Sequence, residues 1–226
     1  MAKNKKQSED KFGAVGSALS KSEAFLEKNS KALIIVLGVI VLVVLAFFAV
    51  QRYYFQPKSI EAQEEIFKAQ SFFAADDYAT ALAGDGNYFG FLEVQKQYKG
   101  TKAAKLANYY IGICYLRLGE FDNAVKYLNK FKSKDFYINA MAKSALGDAY
   151  LELNDLNGAI KNYKAASKIH PNENTTPEFL RKLAIAYELN GNNKEALSTY
   201  KKILADYPNT TLKNEIRRNI GRLENL

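Results

Sequence analysis

Hydrophobic and polar positions fall into three regimes along the chain. Polar residues dominate as far as Lys31. Ala32–Val50, ALIIVLGVIVLVVLAFFAV, then runs for 19 residues without a charge, an amide or a hydroxyl. Beyond Gln51 the apolar residues return at spacings of three and four, the period of amphipathic helices. At the helical rise per residue the apolar run is about 28 Å long, close to the hydrocarbon thickness of a bilayer. A soluble core helix of that length would show a polar face, and this one shows none. The run therefore predicts a transmembrane helix.

Its flanks agree. Lys28 and Lys31 precede it, and Arg52, Tyr53, Tyr54 and Phe55 follow, a basic edge opposite an aromatic interfacial belt. A cleaved secretory signal has a shorter apolar core, a shorter basic lead and an A-x-A site. Here the lead is 31 residues and the exit reads Ala46-Phe47-Phe48-Ala49-Val50-Gln51-Arg52, so the span is expected to be retained. Met1–Lys11 is polar and charged, the composition of a disordered tail. Phe12, Val15, Leu19, Phe25 and Leu26 fit either a short interfacial helix over Phe12–Lys28, weakened by Gly13 and Gly16, or a partly ordered tail. After the span, Pro57 is expected to break or kink the helix. Ser59 then reads as the N-cap of a helix running to about Ala75, with Glu61, Glu64 and Glu65 near its start.

From Lys105 the pattern repeats. Ile111-Gly112-x-x-Tyr115, Leu146-Gly147-x-x-Tyr150 and Leu183-Ala184-x-x-Tyr187 superpose, with offsets of 35 and 37 residues. Ala124, Ala159 and Ala196 follow at equal distance, then Leu128, Tyr163 and Tyr200, then Phe131, Ala166 and Ile203. Gly or Ala at the first anchor lets two helices of a hairpin approach closely, and the larger residues fill the space between hairpins. Pro171 and Pro208 end the second and third units. Gly119-Glu120, Asn154-Asp155 and Gly191-Asn192 occupy the turns, where a left-handed residue is needed. Thr176-Pro177-Glu178 reads as a helix start with Thr176 as cap. A degenerate unit precedes these: Phe91, Val94 and Tyr98 stand where Tyr200, Ile203 and Tyr207 stand later, with Gly84-Asp85-Gly86-Asn87 distorting its hairpin. Leu212, Ile216, Ile220 and Leu223 form the apolar stripe of a terminal solvating helix.

This set resembles the tetratricopeptide repeat family, whose pattern is L-G-x2-Y…A-x3-F-x2-A…P. It departs in lacking the family's early Trp, at whose place Asn108, Lys143 and Leu180 stand. The expected architecture is all-α, a single N-terminal transmembrane helix followed by an α-solenoid of antiparallel hairpins. Its parts are a basic tail over 1–31, the span 32–50, a degenerate hairpin over 51–104, three repeats over 105–209 and a capping helix over 210–226.

Charge and chemistry narrow the function. The net charge of +8 divides into +3 on the tail and +5 on the rest. No long run of one sign follows the span, so the surface reads as mixed rather than as a nucleic-acid footprint. One cysteine, Cys114, excludes an internal disulfide, and its place on a packed helix predicts an inert thiol. His170 has no nucleophile near it in the sequence, and one His with one Cys offers little for a transition metal. Gly84-Asp85-Gly86-Asn87 lacks the alternating ligands and closing Glu of a calcium loop. Phosphate-binding glycine motifs are absent. The expectation is a binding protein, not an enzyme, without a cofactor.

The resemblance implies that the first helix of each hairpin lines a concave face. Carried over, the lining is Leu106, Tyr109, Ile113, Leu116 and Arg117, then Met141, Ser144, Asp148, Leu151 and Glu152, then Arg181, Ile185 and Glu188. The clamp by which some members hold a C-terminal carboxylate is missing, since its places hold Tyr109, Ile113, Ala145, Glu178 and Lys182. A mixed apolar and acidic groove suits an amphipathic or basic peptide. The seven tail lysines favour a cytoplasmic N-terminus, although basic residues close to the span are balanced on its two sides. Tail, span and repeats, with the turns Tyr98–Thr101 and Tyr207–Thr210, also resemble bacterial ancillary translocon subunits of the YfgM type. That implies a single-pass inner-membrane scaffold with a periplasmic repeat domain, and Sec translocon subunits and periplasmic chaperones as protein partners. An adaptor in another envelope-biogenesis or cell-division complex, or a regulator of a catalytic partner, has the same sequence features.

Overall fold

The computed structural model describes residues 26 and 28–225, which form two compact units, Met1–Pro57 and Lys58–Leu226. The expected tail over Met1–Lys11 and the short helix over Phe12–Lys28 lie, but for Leu26 and Lys28, outside the described residues. In the first unit, α1 (28–50) holds the whole apolar run, and every side chain from 31 to 50 is exposed. It belongs to a helical run that is long and apolar enough to cross a membrane. Of the two outcomes expected at Pro57, a break or a kink, the break does not occur. A π-helical turn over Gln51–Phe55 leads into α2 (Gln56–Ala74), which takes Pro57 as its second residue. Proline donates no N–H and crowds the carbonyl four residues back, and a widened turn at that place accommodates both. Ser59 consequently lies inside α2 and is not its N-cap.

The second unit contains the rest of α2, α3 (Tyr78–Ala83), α4 (Phe91–Gln97), α5 (Lys102–Arg117), α6 (Phe121–Lys130), α7 (Phe136–Glu152), α8 (Leu156–Ile169), α9 (Thr176–Leu189), α10 (Asn193–Asp206) and α11 (Lys213–Glu224). Helices α5/α6, α7/α8 and α9/α10 are the three antiparallel hairpins, and α11 covers the last of them. Side chains cap the starts of α3, α5, α7 and α8. Thr101 Oγ1 accepts the Ala104 N–H at 3.1 Å, Asp135 accepts from Tyr137 and Ile138, and Asp155 accepts the Gly158 N–H at 2.8 Å. One start differs from expectation: Thr175 occupies the cap of α9, and Thr176 sits one place inside, its hydroxyl accepting the Asn172 N–H at 2.8 Å.

The three hairpin turns share one geometry. Gly119, Asn154 and Gly191 are left-handed, with φ of 79°, 57° and 76°. In each turn the following N–H donates at 2.8 Å to the carbonyl of the repeat tyrosine, Tyr115, Tyr150 or Tyr187. That six-residue closure satisfies helix-end carbonyls that would otherwise lack donors. Close approach explains the small anchors. A Cβ on Gly112 would lie 2.5 Å from Leu128 Cγ, and one on Gly147 would lie 2.6 Å from the Tyr163 ring.

The unit has successive cores, not one. The first gathers Ile66, Phe91, Val94 and Ile111; the second Leu128, Phe131 and Leu146; the third Tyr163, Leu183, Tyr200, Ile203 and Ile216. Leu106 and Tyr115 pack against both the first and the second, and Tyr150 against both the second and the third. Each core therefore passes to the next through a shared side chain, the nearest-neighbour logic of a repeat solenoid.

Candidate partner-binding groove

Helices α5 and α7 lie side by side, and a recess of about 640 Å³ opens between them. Tyr109, Ile113, Leu116 and Arg117 of α5 and Met141, Ser144, Asp148 and Glu152 of α7 line it, all of them positions expected on the concave face. The register explains this set. Residues three and four apart on a helix share one face, and both helices turn that face into the recess. The lining also takes in Phe73 from α2 and Phe121 from α6, which the repeat pattern did not mark, and Ala145 of α7 and Lys182 of α9, which stand at places of the missing clamp.

The remaining expected positions go elsewhere. Leu106 lines a second recess, of about 600 Å³, at the starts of the same two helices. Leu151 packs against the third core and Ile185 is half-buried. Arg181 is held by Glu178, to which Nε and Nη2 donate at 2.7 and 2.6 Å, and by Glu215 on α11 at 3.3 Å. Glu188 accepts the Tyr200 hydroxyl at 2.8 Å and pairs with Arg222 on α11. Both oxygens of Asp148 accept from Lys182 Nζ at 2.8 Å, and Oδ1 also accepts the Tyr163 hydroxyl at 2.7 Å.

A rule runs through these three clusters. In each cluster one carboxylate and its cation stand 34 residues apart, close to one repeat, on successive first helices or on α9 and α11. Two of the three acids expected to give the groove its negative character, Asp148 and Glu188, are thus turned towards neighbouring repeats. Asp148 and Glu188 additionally hold the buried tyrosines, Tyr163 and Tyr200, at 1 % and 0 % exposure. Burial first, and then the adjacent carboxylate, pushes both phenols well above their ordinary value, so they remain donors. Glu152 and Arg117 are the charged groups in the recess that make no ion pair among the described residues. The 34-residue spacing of Asp148 and Lys182 was a signal open to sequence reading.

Cys114 is fully buried in the first core, and burial pushes its thiol up to about 12. At neutral pH it is a protonated thiol without the positive surroundings that make cysteines reactive. Iodoacetamide should therefore leave the folded chain unlabelled at pH 7.5 and label it after denaturation. Rapid labelling of the native chain would contradict this burial.

Comparison with known proteins follows the same repeats. A family model described as "TPR repeat" matches residues 147–191, and one described as "Tetratricopeptide repeat" matches 106–135 and 178–210. The chain carries tetratricopeptide repeats at these residues. A relative, "Photosystem I assembly protein Ycf3" of Synechococcus sp. (strain CC9605), is 40% identical over 58 residues, 25% of this chain. The match spans 34% of that protein's length.

Proposed function

We propose that this chain is a single-pass membrane-anchored scaffold that holds a polypeptide partner in the recess between α5 and α7. The observation that carries the reading is the recess itself, where an apolar lining of Tyr109, Ile113, Leu116 and Met141 carries few charged groups left free for a ligand. A cleft with apolar walls and a few unneutralised polar groups is the usual form of a peptide groove. Anchoring rests on the apolar run of α1, and the excess of tail lysines supports a cytoplasmic N-terminus with the repeats in the periplasm. The combination of tail, span and repeats supports an ancillary role beside the Sec translocon and its periplasmic chaperones in a bacterial inner membrane. The relative named above as an assembly protein supports a second reading, in which the groove holds subunits of another complex while they are assembled.

Photocrosslinking separates these readings. A photoreactive phenylalanine analogue in place of Met141 should crosslink to translocon subunits and periplasmic chaperones, whereas the same probe at Asn214, exposed on α11, should not. Crosslinks specific to Met141 but to other proteins would sink the translocon reading. Equal crosslinking from both positions would sink the groove.

A further inference from the structure

We infer that the groove takes an acidic segment with an apolar anchor, and that it takes it in one direction. The inference rests on the proposed function and is carried by the second recess. Leu106 and Ile138 lie on its floor, one helical turn before Tyr109 and Met141 of the first recess. The apolar strip therefore continues from one recess to the other along both α5 and α7. Around the second recess stand Lys102, Lys105, Lys132 and Lys134, all exposed and none ion-paired among the described residues.

The one acid at that end, Asp135, is occupied. Its Oδ1 accepts the N–H groups of Tyr137 and Ile138 at 2.8 and 3.2 Å, as the cap of α7. The linker that carries Lys132 and Lys134 is also held in place. Asn139 donates to the Ser133 carbonyl at 2.6 Å and accepts the Ser133 N–H at 3.2 Å, and Ser133 Oγ accepts the Asp135 N–H at 3.0 Å. A fixed backbone presenting unneutralised cations lowers the ordering cost of binding an anion. At the other end of the strip, Asp148 is matched by Lys182, which leaves Arg117 and Glu152 and no net charge. One basic end, an apolar middle and a balanced end give a bound segment a direction: carboxylates towards Lys132 and Lys134, the apolar anchor towards Tyr109 and Met141. This reverses the basic partner that the sequence suggests, because Asp148 and Glu188 are bound within the fold and Glu152 is balanced by Arg117 in the recess.

The test uses the full chain in nanodiscs of zwitterionic lipid, panned against a random dodecapeptide display library. Enriched peptides should carry Asp or Glu beside an aliphatic or aromatic anchor. A synthetic copy should lose about tenfold in affinity on K132E/K134E, and lose affinity as salt is added. Both lysines lie exposed on a linker, so circular dichroism should show the variant folded. Neutral or basic peptides whose binding is lost in Met141→Glu would overturn the acidic assignment while leaving the groove in place. Peptides indifferent to Met141→Glu and to K132E/K134E would remove the groove as well. If only phosphatidylglycerol vesicles bind, and lose binding on K132E/K134E, the lysines serve a lipid headgroup and the inference fails.

Discussion

Tyr163→Ala should lower the stability of the repeat unit by about 4 kcal/mol, the range for deleting a buried aromatic ring. The ring is 1 % exposed and supplies the nearest atoms to the space where a Cβ on Gly147 would stand. Its hydroxyl is the donor that turns Asp148 towards α8. Loss of the ring opens a cavity in the third core, beside Tyr150, through which the second core packs. Because a solenoid is stabilised by neighbour interfaces, the damage should start at α7–α9 and spread by loss of those contacts. Tyr163→Phe separates packing from hydrogen bonding and should cost about 1 kcal/mol. Thermal unfolding in mild detergent, followed by circular dichroism, measures both. Near-wild-type stability of the alanine variant would contradict the interlocked core.

The same residue sets a pH dependence. Its phenol titrates above the ordinary tyrosine value in the folded state, as does that of Tyr200. A raised folded value means that the unfolded chain releases its proton first. The stabilisation is complete below about pH 10, the unfolded tyrosine value, and is lost as pH rises beyond it. Alkaline unfolding should therefore be shallower in Tyr163→Phe than in the wild type.

The hairpins were legible in the sequence for a physical reason. Gly112 and Gly147 are small because Leu128 and Tyr163 lie against them, and Gly119, Asn154 and Gly191 are left-handed because each helix end must close onto a tyrosine carbonyl. Such demands fall on residue type at fixed spacing, which a sequence records. At Pro57 the sequence left a break and a kink open because the compensating π turn over Gln51–Phe55 leaves no residue signature. Short α3, capped by Asp77, was hidden in the same way by the loop after it. In the groove, the faces of α5 and α7 followed from the resemblance to the repeat family, which assigns first helices to the lining. Phe73 did not, because it arrives from α2, ahead of the repeats. The charge of the groove was misjudged because periodicity says which face a carboxylate is on, not which cation reaches it.

Charge reversal decides between those two roles of an acid. Asp148→Lys should cost about 2 kcal/mol, less than for a deeply buried pair because both side chains are partly solvated, at 31% and 27% exposure. The new ammonium would face Lys182, and Tyr163 would lose its acceptor. Adding Lys182→Glu should restore a good part of the loss, since it rebuilds an ion pair of the opposite sense across the same repeat interface. Glu152→Lys, one turn further along α7 and without an ion-pair partner among the described residues, should change stability by less than about 0.5 kcal/mol. Peptide affinity should respond in the opposite order: Glu152→Lys changes the charge that a ligand meets, whereas the swapped pair at positions 148 and 182 keeps the net charge of the recess. A swapped pair no more stable than Asp148→Lys alone would show that Asp148 serves a ligand and not the next repeat.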